Sequence, residues 1–109
     1  MPYNEQLVER VRGVLAKKRN VAERKMFGGL TFMLRGNMAC GVENDRLMVR
    51  VGPEAYDDAL GRPHAQMMNF TGRPMKGFVF VEPAGLKSDK DLKAWVQRGV
   101  DFAMSLPAK

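Results

Sequence analysis

The stretch LTFMLRGNMACGVENDRLMVRV, residues 30–51, decides the fold. Leu30, Phe32 and Leu34 alternate with Thr31 and Met33, a period of two that belongs to a strand with one buried face. Arg35-Gly36-Asn37 supplies turn residues, and residues 38–42 return as a second strand with Met38, Cys40 and Val42 on one face. Glu43-Asn44-Asp45 makes the next turn, and Leu47, Val49 and Val51 line one face of a third strand. The segment predicts a three-stranded antiparallel meander.

Toward the N-terminus the period changes. Leu7, Val8, Val11, Val14 and Leu15 form one stripe at 100° per residue, which predicts a helix over residues 4–18. Asn4 is its expected N-cap, with Glu5 in the first turn and Lys17, Lys18 and Arg19 beside the carbonyl end. Downstream, Gly52-Pro53 is expected to open a short helix that Gly61 and Pro63 close. Two strands follow, at residues 67–70 and 77–81, joined through Thr71-Gly72-Arg73-Pro74. Ser88 then caps a long helix with Leu92, Trp95, Val96, Ala103 and Leu106 as its buried stripe, stopped by Pro107. Strands in runs between helices place the chain in the α+β class. The expected architecture is two-layered, α-β-β-β-α-β-β-α, with a five-stranded antiparallel sheet and helices mainly on one face.

Composition bounds the function classes. With 109 residues, one domain is expected over residues 1–109. Apolar residues make up 45% and charged residues 28%, which is globular rather than disordered composition. The single cysteine, Cys40, cannot form an internal disulfide and suits a reducing compartment. The N-terminal residues lack a charged region followed by an apolar run, and no segment reaches the ~20 apolar residues of a membrane span. A cytoplasmic location is expected.

The net charge of +6 is local. Residues 10–25 hold seven basic side chains (Arg10, Arg12, Lys17, Lys18, Arg19, Arg24, Lys25) and one acid, Glu23, so this segment alone carries the whole excess. A focused patch steers anionic partners, and it raises nucleic-acid contact through Arg10, Arg12, Lys17, Lys18 and Arg19 as one reading. On a helical wheel, however, Arg10 and Lys17 flank the apolar stripe on one side and Arg12 and Arg19 on the other. Two flanks do not form one phosphate-tracking ridge. Basic stems laid over a core edge, with their charges in water, are the plainer reading.

Catalytic inventory is thin. His64 is the only histidine and follows Pro63 in a connecting loop, where an ordinary exposed histidine is expected. Cys40 in a strand reads as a small buried hydrophobe rather than a reactive thiol. One Cys and one His have no metal-ligand spacing, so neither a metal nor a cofactor is expected. Gly28-Gly29 after Arg24-Lys25 resembles an anion-cradling loop, but a strand follows where such loops need a helix, so the pair reads as a tight bend. An anion or partner contact from Arg24, Lys25, Gly28, Gly29, Arg50, Arg73 and Lys76 would require their loops to converge.

Nine methionines are many for this length. Met33 and Met48 point opposite the Leu30/Phe32/Leu34 and Leu47/Val49/Val51 rows, and Val79 opposite Phe78 and Phe80. If helices cover one face, Met33, Met48 and Val79 form an apolar second face. Two readings stay open for it: gap-filling beneath a loop, or a partner-binding or self-association face.

The segments Arg24-Lys25-Met26-Phe27-Gly28-Gly29-Leu30, Gly36-Asn37-Met38-Ala39-Cys40-Gly41-Val42, Leu47-Met48-Val49-Arg50-Val51-Gly52 and Phe70-Thr71-Gly72-Arg73-Pro74-Met75-Lys76-Gly77, taken together, resemble the TfoX N-terminal domain family. The resemblance implies an α+β fold with the element order given above. It also implies a bacterial regulatory or interaction domain without catalytic residues, of the kind found in competence regulators that act with other transcription factors. Those regulators carry a second, C-terminal domain, which is not expected within these 109 residues. A protein partner in transcriptional regulation is therefore the leading expectation. Direct nucleic-acid binding or small-anion binding is the alternative.

Overall fold

The computed structural model describes residues 3–26, 28–69 and 74–108. Helix α1 spans Glu5–Leu15; strands β1 to β4 span Val21–Met26, Gly29–Leu34, Asn37–Glu43 and Arg46–Arg50; helix α2 spans Tyr56–Leu60. Strands β5 (Ala65–Asn69) and β6 (Pro74–Val81) follow, then a single 3-10 turn at Pro83–Gly85 and helix α3, Asp89–Ser105. All strands are antiparallel in one sheet of order β1-β2-β3-β4-β6-β5. The α+β class is as expected, but the sheet has six strands rather than five.

The additional strand is β1. Its sequence, VAERKM, has no alternating apolar row, and only Val21 reaches the core while the rest stay exposed. It forms because its backbone pairs with β2 in register from Val21↔Leu34 to Met26↔Gly29, and backbone pairing leaves no hydrophobic pattern to read. Charged side chains on such an edge strand also discourage pairing with another chain.

The helix ends follow their local chemistry. The Asn4 side chain accepts from the Leu7 amide at 3.1 Å, and the Ser88 hydroxyl accepts from the Asp91 amide at 3.0 Å. Helix α1 stops at Leu15, so Lys17, Lys18 and Arg19 lie in the turn beyond it rather than in its last turn. Helix α2 begins at Tyr56, after Pro53 rather than at it.

Two cores lie on opposite faces of the sheet. The larger joins Leu7, Val11 and Leu15 of α1 and Leu92, Trp95, Val96 and Val100 of α3 to the inward rows of β2, β3, β4 and β6. The smaller is built from Met33, Met38, Met48, Met68 and Phe80, with Met75 and Phe78 packed against it. Met48 and Met68 are both completely buried.

Two face assignments differ from expectation. Val79 lies in the larger core, and Phe80 in the methionine core. The register explains this: Val79 pairs with Val49 and Phe80 with Met48, so each takes the face of its partner. Met38 also departs from the row of Cys40 and Val42. The β2–β3 register shifts between Phe32 and Met33, pairing Phe32 with Cys40 but Met33 with Met38, and the extra residue, Ala39, turns Met38 to the other face.

Candidate functional site

The basic segment is divided by tertiary contacts. Arg12 forms a fork with the Glu23 carboxylate of β1, with Nε and Nη2 each 2.7 Å from an oxygen, and its Nη1 also donates to Glu9. The hydrogen bonds from Arg12 hold the Glu23 carboxyl below its ordinary range and keep the guanidinium charged. Arg10 turns the other way, donating from Nη2 to the Leu86 carbonyl at 2.7 Å and to Asp89 at 3.3 Å. Both arginines therefore tie α1 to neighbouring elements. Lys17, Lys18 and Arg19 remain exposed beyond the helix.

Of the seven residues named for an anion or partner contact, the six that the structure describes do not converge. Lys25, Gly28 and Gly29 sit where β1 turns into β2, at the sheet end that also holds the β3–β4 turn. Arg50 and Lys76 lie at the opposite end, and β6 is four strand spacings, roughly 19 Å, from β1. Arg24 is exposed in mid-strand on β1. The Arg73 position, like Phe70 and the rest of the 71–73 connection, lies outside the described residues. The glycine pair has a backbone role: Gly28 takes a φ of +74, and any Cβ on Gly29 would overlap the Val42 carbonyl.

Met33 and Met48 are buried in the smaller core, and Val79 is buried in the larger, so none of the three presents surface to a partner. Arg46 closes over the methionine side, with its guanidinium carbon 3.7 Å from the centre of the Phe80 ring and its Nη2 2.7 Å from Glu43. Arg50 lies between two rings, 5.5 Å from Phe78 and 5.2 Å from Phe102.

Cys40 is buried in the larger core, and burial pushes its thiol up to about 12. His64 is exposed and lines a shallow groove of about 220 Å³ that also includes Asp91, Trp95 and Arg98. Its carbonyl accepts from the Glu82 amide at 2.9 Å. Its imidazole makes no hydrogen bond among the described residues. Nearby, Asp58 accepts from Arg98 at 3.1 Å and from Arg62 at 3.4 Å, and these bonds lower its carboxyl below the usual value.

Two surface features carry shape as well as charge. The first is a groove of about 550 Å³ between α1 and α3. Half-buried Val14 is its apolar surface, with Leu92 buried beneath, Gly13 and Ala16 leave room, and Arg10, Lys17 and Lys93 stand around it beside Asp89. The second, about 290 Å³, brings Lys18, Arg19 and Asn20 to Arg35 of the β2–β3 turn. Arg35 had no signal in the sequence, because it reads only as a turn residue; its neighbours there arrive through the pairing of β1 with β2.

Among the described residues, no group of three or more His, Cys, Asp or Glu could hold a metal ion, and no helix is long and apolar enough to cross a membrane. In comparison with known proteins, residues 14–103 match the family model of the TfoX N-terminal domain. No curated protein and no solved structure matches the chain.

Proposed function

The chain belongs to the TfoX N-terminal domain family, and on that premise we propose that it is a non-catalytic interaction module of transcriptional regulation whose α1–α3 groove takes an acidic, partly apolar segment of a partner protein. The observation that carries the reading is the composition of that groove: half-buried Val14 over the buried Leu92, beneath a rim of Arg10, Lys17 and Lys93 against the single acid Asp89. Asp89 is already engaged by Arg10, which leaves Lys17 and Lys93 to face an incoming carboxylate. An apolar anchor seated between two helices with charge at the rim is how helix-in-groove recognition divides affinity from specificity. The burial of Cys40, which takes its thiol out of solvent, is consistent with a role that does not use it as a nucleophile.

Charge reversal at the rim tests this. A partner captured by the wild-type chain, identified and then purified, binds saturably and more weakly as salt rises, and the Lys17→Glu/Lys93→Glu chain binds it at least tenfold more weakly. In cells, the reversed variant reproduces the transcript changes of a deletion. Undiminished binding by the reversed chain, or transcripts like those of wild type, would remove the reading.

A further inference from the structure

We propose that the cleft between the α1–β1 turn and the β2–β3 turn is a binding site for a phosphate monoester borne on a small, partly apolar body. This site is separate from the α1–α3 groove and does not depend on the reading given for it. Among the described residues, every charged side chain lining the cleft is a cation: Lys18 and Arg19 from one turn and Arg35 from the other, with Asn20 beside them. The remaining lining is apolar: Leu34 and Val100 are buried beneath the cleft, and Met104, 48% exposed, supplies its accessible apolar surface. A dianionic phosphate answers the first set and a short hydrocarbon or planar group the second.

The backbone holds this arrangement at a cost. Asn20 and Arg35 both take left-handed conformations, φ 63 and φ 52, and the Arg35 amide donates to the Asn20 carbonyl at 3.2 Å, which joins the two cationic turns. Asparagine tolerates that conformation; arginine at the first position of a two-residue hairpin turn is disfavoured relative to Asn, Asp or Gly. Such local strain is most often found at functional sites. The guanidinium of Arg35 is only partly used by the fold. Its Nη2 donates to the Leu106 carbonyl at 2.9 Å, while its Nε is buried without a hydrogen-bond partner among the described residues. A buried donor left open favours an acceptor, and among the described side chains lining the cleft only the Asn20 amide oxygen and, weakly, the Met104 sulfur can accept. The volume, about 290 Å³, is at the low end for ligand pockets and sets the ligand's size.

The test is an amide-shift titration of the full chain at low ionic strength with inorganic phosphate, adenosine 5′-monophosphate, adenosine and a single-stranded oligonucleotide. The monophosphate is expected to give saturable shifts confined to residues 18–20, 34–36 and 104, phosphate the same shifts more weakly, and adenosine none. Lys18→Gln/Arg19→Gln, which alters only exposed side chains, weakens monophosphate binding by about tenfold or more without changing Tm. Arg35→Lys keeps the charge, removes the guanidinium and weakens it comparably. The proposal is overturned by any of three results: no saturable shift at millimolar monophosphate, shifts that persist in the double variant, or an oligonucleotide that binds more tightly than the monophosphate with shifts spread along the basic segment. The last would assign the cations to a nucleic-acid backbone.

Discussion

Gly99 of α3 lies directly against the carbonyl of Ala39 in β3, so close that a Cβ on Gly99 would overlap backbone atoms. Ala39 is the extra residue of the β3 bulge, so the helix packs on the sheet at the irregularity in the strand. Gly99→Ala would gain about 1 kcal/mol of helix propensity. It would also force α3 off the sheet, because a carbonyl cannot rotate away as a side-chain tip can, and overpacking of this kind costs about 1–3 kcal/mol. The expected outcome is a lower Tm. Gly13 gives the opposite sign: it lies in α1 with open space around its Cβ position, so Gly13→Ala should stabilise by about 0.5–1 kcal/mol. Thermal unfolding of the two variants side by side checks both; a stabilised Gly99→Ala would contradict the packing.

Met48 is completely buried among Met33, Met38, Met68 and Phe80 on the sheet face away from α1 and α3. Met48→Ala should therefore cost about 2–5 kcal/mol, as truncation in a packed core does. A surface methionine would lose almost nothing. Denaturant unfolding separates the two cases, and a loss below about 0.5 kcal/mol would mean that the methionine face is open.

Cys40 should be inert in the folded protein. Burial pushes its thiol up to about 12, and only the thiolate reacts with disulfide or alkylating reagents. At pH 8 the native chain is expected to resist a thiol reagent that labels the denatured chain at once. Rapid labelling under native conditions would show that the larger core opens at the β3 position.

The Arg12–Glu23 fork makes stability depend on acid. Because the Glu23 carboxyl titrates below its ordinary value when folded, its contribution is full only above the ordinary glutamate range, about pH 5 and higher, and is lost as pH falls through the folded value. Glu23→Gln should lower Tm slightly at pH 7, as an exposed pair does, and the gap to wild type should close on acidification. A gap that widens in acid would require a different role for Glu23.

The elements with a strong apolar period were legible, and those held by backbone pairing alone were not. The stripe of Leu7, Val11 and Leu15, the Asn4 and Ser88 caps and the inward rows of β2 and β4 follow from side-chain periodicity and local hydrogen bonding. Strand β1 has no such row, so VAERKM is a strand only because β2 offers it an edge. The face assignments of Met38, Val79 and Phe80 failed for a related reason. Alternation predicts that neighbours oppose each other, but a bulge at Ala39 and the pairing of Val79 with Val49 choose the face.

By itself, the sequence determined an α+β domain with capped terminal helices, a central meander and a charge excess confined to residues 10–25, because these depend on the order of side chains along the chain. Tertiary structure alone decided what the charges do. It uses Arg10 and Arg12 to tie α1 to its neighbours, keeps Lys25 and Lys76 at opposite ends of the sheet, and brings Lys18 and Arg19 to Arg35. Coulombic and hydrogen-bonded partnerships act over a few ångströms of space, and strand pairing sets which distant residues lie within that range.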